Sequence, residues 1–367
     1  MRLWSTKRSS VSRWTDGLRF DAARSRRGHV ESWFLKANDP HDRRAIWLKW
    51  TIWSGPGGRQ HAVAEAWAIA FGGVDGHVAT KTTIPFEQAR FASRTIGASV
   101  DGCTLSADAA HGRVESGGRA IAYDLTIASL EAPLVHFQKA WMYEGGFPKQ
   151  KIVSPIPNAR ISGRVVVSRV DHTARPPEGR PGRVDHTARP PEGRPEGDTW
   201  TLDAWPGMVG HNWGAGNSES YAWGHCNAWD DEDDVVFEGF SARVRAGGVL
   251  LPTTTALCLR HHGTSYMLSG IAALVSNHGS ISARRWRFRG KGPRIAIEGE
   301  MWADTDDFVG LFYPNPDGTI CYCLNSKLAR AEITVRLEGR APRTLRSERA
   351  ALELATRDPH HGVRMYV

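Results

Sequence analysis

Between positions 209 and 229 the chain reads VGHNWGAGNSESYAWGHCNAW. Three of its 15 tryptophans, two histidines, a tyrosine and a glutamate lie there among glycines and alanines. In a strand, alternate side chains face opposite sides of the sheet. Residues 219–229 then place Glu219, Tyr221, Trp223, His225, Asn227 and Trp229 on one face, and Ala222, Gly224, Cys226 and Ala228 on the other. The first face is too polar for a dry core and too aromatic for open solvent. It suits the wall of a mostly apolar pocket with a few placed hydrogen-bonding groups. The alternative is a packed core, with each polar tip satisfied locally. A carboxyl group in an apolar wall is pushed toward its neutral, proton-donating form, and aromatic faces stabilise a cation. The catalytic candidates are therefore Glu219 as acid, with His211, His225 and Tyr221 as polar partners. Trp213, Trp223, Asn212, Asn227 and Trp229 are the candidate ligand wall. The glycines of GHNWG (210–214) predict a tight turn from which His211, Asn212 and Trp213 cap the cavity. The competing role for Glu219 is a brace to a neighbouring loop.

Other chemistries lack their signatures. His211, His225, Cys226, His261 and His262 show no helical or zinc-finger ligand spacing, and the expectation is no metal. No Walker or Rossmann glycine loop and no GxSxG elbow is present, so no cofactor is expected. The acids Asp230–Asp234 read as a solvated hairpin turn. Net charge is +8, but the arginines are dispersed. RRWRFRGKGPR (284–294) alternates Arg with Trp286 and Phe288, as a solvated strand face does, so no nucleic-acid partner is expected. Five cysteines without a framework spacing point to reduced thiols and a cytoplasmic setting. No secretory h-region or membrane span is read, and peripheral membrane contact stays open.

The elements that must hold these residues read as β. AIWLKWTI (45–52) alternates Ile46, Leu48, Trp50 and Ile52 with Trp47, Lys49 and Thr51. VAEAWAIAF (63–71) sets Val63, Glu65, Trp67, Ile69 and Phe71 against alanines. Only SERAALELATRD (347–358) reads as a helix. The segment RVDHTARPPEGRPG (169–182) is repeated at 183–196 with only its last residue changed. Rich in Pro, Gly and Arg, it reads as a linker or surface loop in which extra length costs little. ESWFLKAN (31–38) echoes ESYAWGHCN (219–227), which suggests two related β-units and makes Glu31, Trp33, Glu65 and Trp67 analogous candidates in the first. The expected organisation is a tail over 1–20, a first unit over 21–168, a linker over 169–196 and a second unit over 197–367.

Several of these motifs occur together in a known order. ESWFLKANDP with AIWLKW, PKQKIVSPIPNARISGRVVV (148–167), GMVGHNWG with ESYAWGHCNAW, and YPNPDGTICYCLNSKLA (313–329) resemble the carotenoid 1,2-hydratase (hydroxyneurosporene synthase) and tocopherol cyclase-like superfamily. The resemblance spans about 30–330, and the duplicated segment lies outside its pattern. It implies an all-β, calycin-like fold of two tandem lipocalin-like antiparallel β-barrels, here with a short C-terminal helix. It also implies a hydrophobic small-molecule ligand (isoprenoid, lipid or polyketide-like) in a barrel or interdomain pocket. Hydration, cyclisation or isomerisation by acid catalysis is one expected role, and a non-catalytic carrier is the other. A third expectation is two solidly packed barrels acting through their surface.

Overall fold

Alternating large and small side chains commit most of the chain to strands. The computed structural model describes residues 17–21, 25, 27–57, 61–146, 148–170, 197–243, 245–246 and 249–367. The first antiparallel sheet holds β1 (His29–Asn38), β2 (Ala45–Ser54), β3 (Ala62–Phe71), β4 (Val78–Pro85), β5 (Arg90–Phe91), β6 (Gly97–Val100), β7 (Cys103–Ser106), β8 (Ala109–Ser116), β9 (Arg119–Ser129), β10 (Leu134–Val135), β11 (Gln150–Arg169) and β12 (Gly197–Gly214). The second holds β13 (Ser220–Cys226) and β14 (Val235–Arg243). After a separate two-stranded hairpin, β15 (Arg245–Ala246) and β16 (Val249–Leu250), it continues with β17 (Thr254–His261), β18 (Thr264–Leu268), β19 (His278–Ser282), β20 (Arg285–Lys291), β21 (Ile295–Trp302), β22 (Val309–Pro314), β23 (Ile320–Leu337) and β24 (Arg343–Thr356). Two short helices, α1 (Trp141–Glu144) and α2 (Ile271–Ser276), lie between strands.

The two sheets share one connectivity. In the first, the meander β4-β3-β2-β1 joins β12, then β11, β9 and β8. In the second, β18-β17-β14-β13 joins β24, then β23, β21 and β20. The echo between 31–38 and 219–227 therefore marks equivalent strands, β1 and β13, each paired with the last long strand of its own sheet. Both sheets curl strongly. The Lys81 amide on β4 donates to Ser116 Oγ at the end of β8 at 3.0 Å. On β19, a Cβ at Gly279 would fall 1.9 Å from Ser241 Oγ, so glycine permits that strand to lie against β14 and β17.

Three expectations change. The boundary drawn at 169–196 is displaced, because β12 pairs with both β1 and β11; the first sheet ends at Gly214. The duplicated segment joins neighbouring strands β11 and β12, and 171–196 lies outside the described residues. The C-terminal helix is strand β24, hydrogen-bonded to β13 and β23 on its two sides. Its alanines reflect burial on both faces: Ala350, Leu352 and Leu354 enter the second core, while Ala351 and Ala355 face the first sheet. GHNWG is not a turn. It is the end of β12, where Gly210 leaves room for Phe34, which a Cβ would meet at 2.2 Å.

The distribution of bulk across the sheets decides where space is left. The alanines of β3 face the interior of the first sheet, where Trp33 and Trp50 fill the core. On β13, Ala222 and Cys226 face the second core, and Trp286 and Met301 occupy the room left by Gly224. The large side chains Trp47, Trp67, Ile69 and Phe71 turn outward and meet Trp223, Leu311, Tyr313 and Cys323 of the second sheet in a third core. The concave interiors are packed, and the aromatic-rich faces oppose each other between the sheets. RRWRFRGKGPR behaves as expected: Trp286 and Phe288 are buried, Arg287 and Arg289 exposed. All five cysteines are free and buried.

Candidate functional site

Strand parity carries side chains of both sheets into one cavity between them. β1 contributes Val30, Ser32 and Phe34, and β2 contributes Trp47, Lys49, Thr51 and Trp53. From β3 come Glu65 and Trp67; the second sheet supplies Tyr221, Trp223, Phe240, Tyr313 and Glu353. Its volume is about 120 Å³, comparable with the ~150 Å³ apolar cavity that holds one benzene. The enclosed part therefore takes one ring or a short isoprenoid stretch. Pro314, Trp53 and the exposed Phe312 also border it.

Polar and apolar side chains share the wall of this cavity. Glu353 forms an ion pair with Lys327 at 2.9 Å, and Lys327 Nζ also donates to Asn325 Oδ1 at 2.5 Å. Glu65 accepts from Trp67 Nε1 at 3.1 Å and pairs with Lys81 at 3.3 Å. Lys49 Nζ lies 3.9 Å from the centroid of the Tyr313 ring and 5.6 Å and 5.8 Å from the rings of Trp47 and Trp67. Burial pushes the Lys49 ammonium below its ordinary value, against the pull of Glu353. Burial likewise lowers Lys327 and Lys151, the latter also on the cavity wall. It raises the Tyr221 and Tyr313 phenols well above their usual range, which keeps both as donors. The Tyr221 hydroxyl donates to Cys323 Sγ at 3.7 Å, a thiol that burial also raises.

Of the residues singled out from the sequence, Tyr221, Trp223, Asn212, Trp67 and Glu65 line this cavity. Trp223 Nε1 donates to Glu238 Oε1 at 3.0 Å, and Asn212 Oδ1 accepts from Ser32 Oγ at 2.9 Å. Glu238 is fully buried behind the wall. Burial alone raises its carboxyl, but His136, His225 and the Ser154 hydroxyl, at 2.7 Å, outweigh that and hold it at about 2.

The remaining candidates lie elsewhere. His211 Nε2 is 2.9 Å from Glu31 Oε1, and its ring stacks on Trp33 at 4.3 Å. Glu31 also meets His29 at 2.9 Å and accepts from the Arg19 amide at 2.8 Å. Burial raises the Glu31 carboxyl, yet the two histidines bring it down to about 2. This buried cluster, with Trp213 beside His211, ties the start of the described chain to the first sheet and lies off the cavity wall. His225 donates from Nε2 to the Pro157 carbonyl at 2.9 Å; burial, then Lys36, hold its imidazole down at about 3. Asn227 accepts from Lys36 Nζ at 3.0 Å and donates to the Gly207 carbonyl at 2.8 Å, so it bridges the sheets. Trp229 Nε1 donates to the Val235 carbonyl at 3.0 Å within the second core. Glu219 precedes β13, its amide bonded to the Arg243 carbonyl at 3.0 Å, and it is not among the lining residues.

Reading the residues individually missed Lys49, Glu353 and Tyr313. Lys49 sat in plain view between Trp47 and Thr51 on the outward face of β2. Glu353 was hidden by the helical reading of 347–358; alternation of Leu352 and Leu354 with Glu353 was the available signal. For metals, Glu232, His261 and His262 bring ligand atoms within 4.8 Å of one another among the described residues. Arg343 already engages both Glu232 oxygens, Oε1 at 3.0 Å, which disfavours a cation there.

Comparison with known proteins agrees with this architecture. The tocopherol cyclase-like family pattern matches residues 194–356, from the start of β12 through β24. Mycobacterium tuberculosis strains H37Rv and CDC 1551 carry the uncharacterized proteins Rv0493c and MT0513. Each is 24% identical over 338 residues, covering 91% of this chain and 86% of the relative. The crystal structure of an AttH protein (NE1406) from Nitrosomonas europaea superposes with a TM-score of 0.51 at 11% identity, covering 89% of this chain and 92% of that one. That of CghA superposes at 0.50 and 12% identity, covering 90% and 88%. These structural likenesses establish the shared fold.

Proposed function

We propose, on the premise of a tocopherol cyclase-like second half, that the protein binds a hydrophobic small molecule of isoprenoid or polyketide-like character between its sheets. There it promotes hydration, cyclisation or isomerisation. The observation that carries this reading is the gathering of Glu353, Tyr221, Tyr313 and Lys49 in one aromatic-walled cavity. The phenols and the Lys49 ammonium act as hydrogen-bond donors, and Glu353, paired with Lys327, acts as the proton acceptor. Trp47, Trp67 and Trp223 supply the apolar faces of the wall, with lysine ammonium groups over them. This assignment moves the acid–base work from Glu219 to the cavity wall, with Tyr221 kept from the sequence reading.

The test is incubation with prenylated quinols and short isoprenoids in ¹⁸O-water, followed by mass spectrometry. Label in the product marks hydration; an isomer of unchanged mass marks cyclisation or isomerisation. Glu353→Gln is expected to lower turnover by about a hundredfold or more while tryptophan quenching by the same compounds persists. Folded protein that neither binds nor converts any of them would falsify the reading. A carrier role is the second reading. It is favoured by the absence of any histidine among the described lining residues and by the engagement of Glu65 and Glu353 with lysines. It predicts quenching without product.

A further inference from the structure

We infer that the ligand of this cavity carries an anionic or strongly accepting oxygen, as a carboxylate, enolate or carbonyl, and that Lys49 seats it. The inference rests on the cavity being the binding site and adds the chemical class of what enters it. Lys49 projects from the middle of β2 with three N–H donors to satisfy. Among the described residues its Nζ makes no hydrogen bond or ion pair; its contacts are the ring faces of Tyr313, Trp47 and Trp67. The wall carboxylates are engaged elsewhere, Glu353 by Lys327 and Glu65 by Lys81. Lys151, the second lysine on the wall, is likewise without an acceptor among the described residues. Once each carboxylate is matched with its own lysine, the cavity keeps a positive excess.

The Lys49 Nζ opens into the cavity instead of being sealed in protein, so its donors turn to whatever occupies that space. Ring faces compensate only in part, and an oxygen of the ligand supplies what is missing, with a charge-assisted bond. The same ammonium argues against a pure hydrocarbon, because a carbocation developing beside Lys49 would be repelled. The small enclosed volume adds an orientation: the oxygenated end enters first, and the apolar remainder extends toward Trp53 and Phe312.

The experiment titrates tryptophan fluorescence of the full-length protein with geranic acid and geraniol, which share one carbon skeleton. Wild type is expected to bind the acid about tenfold or more tightly than the alcohol. Lys49→Met should bring the acid to the level of the alcohol. Equal affinities in wild type overturn the inference while the pocket survives. A preference for the acid that persists in Lys49→Met overturns the role of Lys49. Binding of neither compound overturns both the inference and the functional reading beneath it. Lys49→Gln replaces Lys49→Met if the latter does not fold, and the wild-type ratio tests the inference without any variant.

Discussion

His225 shows how a residue with catalytic credentials can serve the fold. Its imidazole is fully buried, donates to Pro157 and is held neutral, down at about 3. Because the folded value lies below the ordinary 6.5, the unfolded chain takes up a proton that the folded protein refuses. Stability is therefore full above about pH 6.5 and falls as pH drops toward 3, by about 1.4 kcal/mol per pH unit for one proton. Glu31, held at about 2, adds a second loss that begins only below its ordinary 4.5. Between pH 6.5 and 5 His225 acts alongside His77, His261 and His361, whose imidazoles burial also lowers, so His225 is isolated by comparing its variant with wild type. Urea unfolding across that interval is expected to show a smaller pH slope for His225→Gln than for wild type, since glutamine keeps a donor for Pro157 and has no proton to take. Identical slopes would mean that His225 protonates in the folded state.

At the scale of elements, β11 and β12 bear most directly on the duplicated segment. The register pairs Ser168 with Gly197, so the duplication closes a hairpin whose ends are already adjacent. Removal of one copy, 183–196, is expected to shift unfolding free energy by no more than about 0.6 kcal/mol, the loop-closure effect of halving a loop. Co-expressed with a fragment 219–367, a chain ending at 218 is expected to be soluble, whereas one ending at 196 lacks β12, leaves β1 and β11 without their shared partner and is expected to be insoluble; soluble recovery of both would contradict the register. The same elements show what the sequence could reveal. Period-two alternation identified β2, β3 and β13 and sorted their faces correctly, because bulk and polarity change sharply from one residue to the next. It failed for β24, where burial on both faces gives a continuous Ala/Leu run that mimics a helix. It also could not show which sorted face turns inward, since the alanine face of β3 packs against tryptophans from other strands.

Across the whole molecule, the third core makes the two sheets one thermodynamic body. Trp47, Trp67, Phe71, Trp223, Leu311 and Leu328 are buried only because the sheets meet, and Lys36 with Asn227, and Asn38 with the Lys327 carbonyl, add polar ties across the seam. Exposing that seam costs about 1.5–3 kcal/mol for each large apolar side chain. Calorimetry is thus expected to show a single unfolding transition; two resolved transitions would mean that each half stands without the other.

The long hairpin β11–β12 has one more consequence. Its cavity end holds Gln150, Lys151, Ile152 and Asn212, while its open end is Ser168 and Gly197. On the order of 50 Å of strand separates the two ends at about 3.3 Å per residue. The open end is thus a permissive port, where the chain already carries a repeated segment and no described residue of 169–196 lines the cavity. Foreign sequence spliced there, such as a fluorescent reporter or an affinity handle, would attach at the open end of the hairpin and is expected to leave the cavity free to be studied.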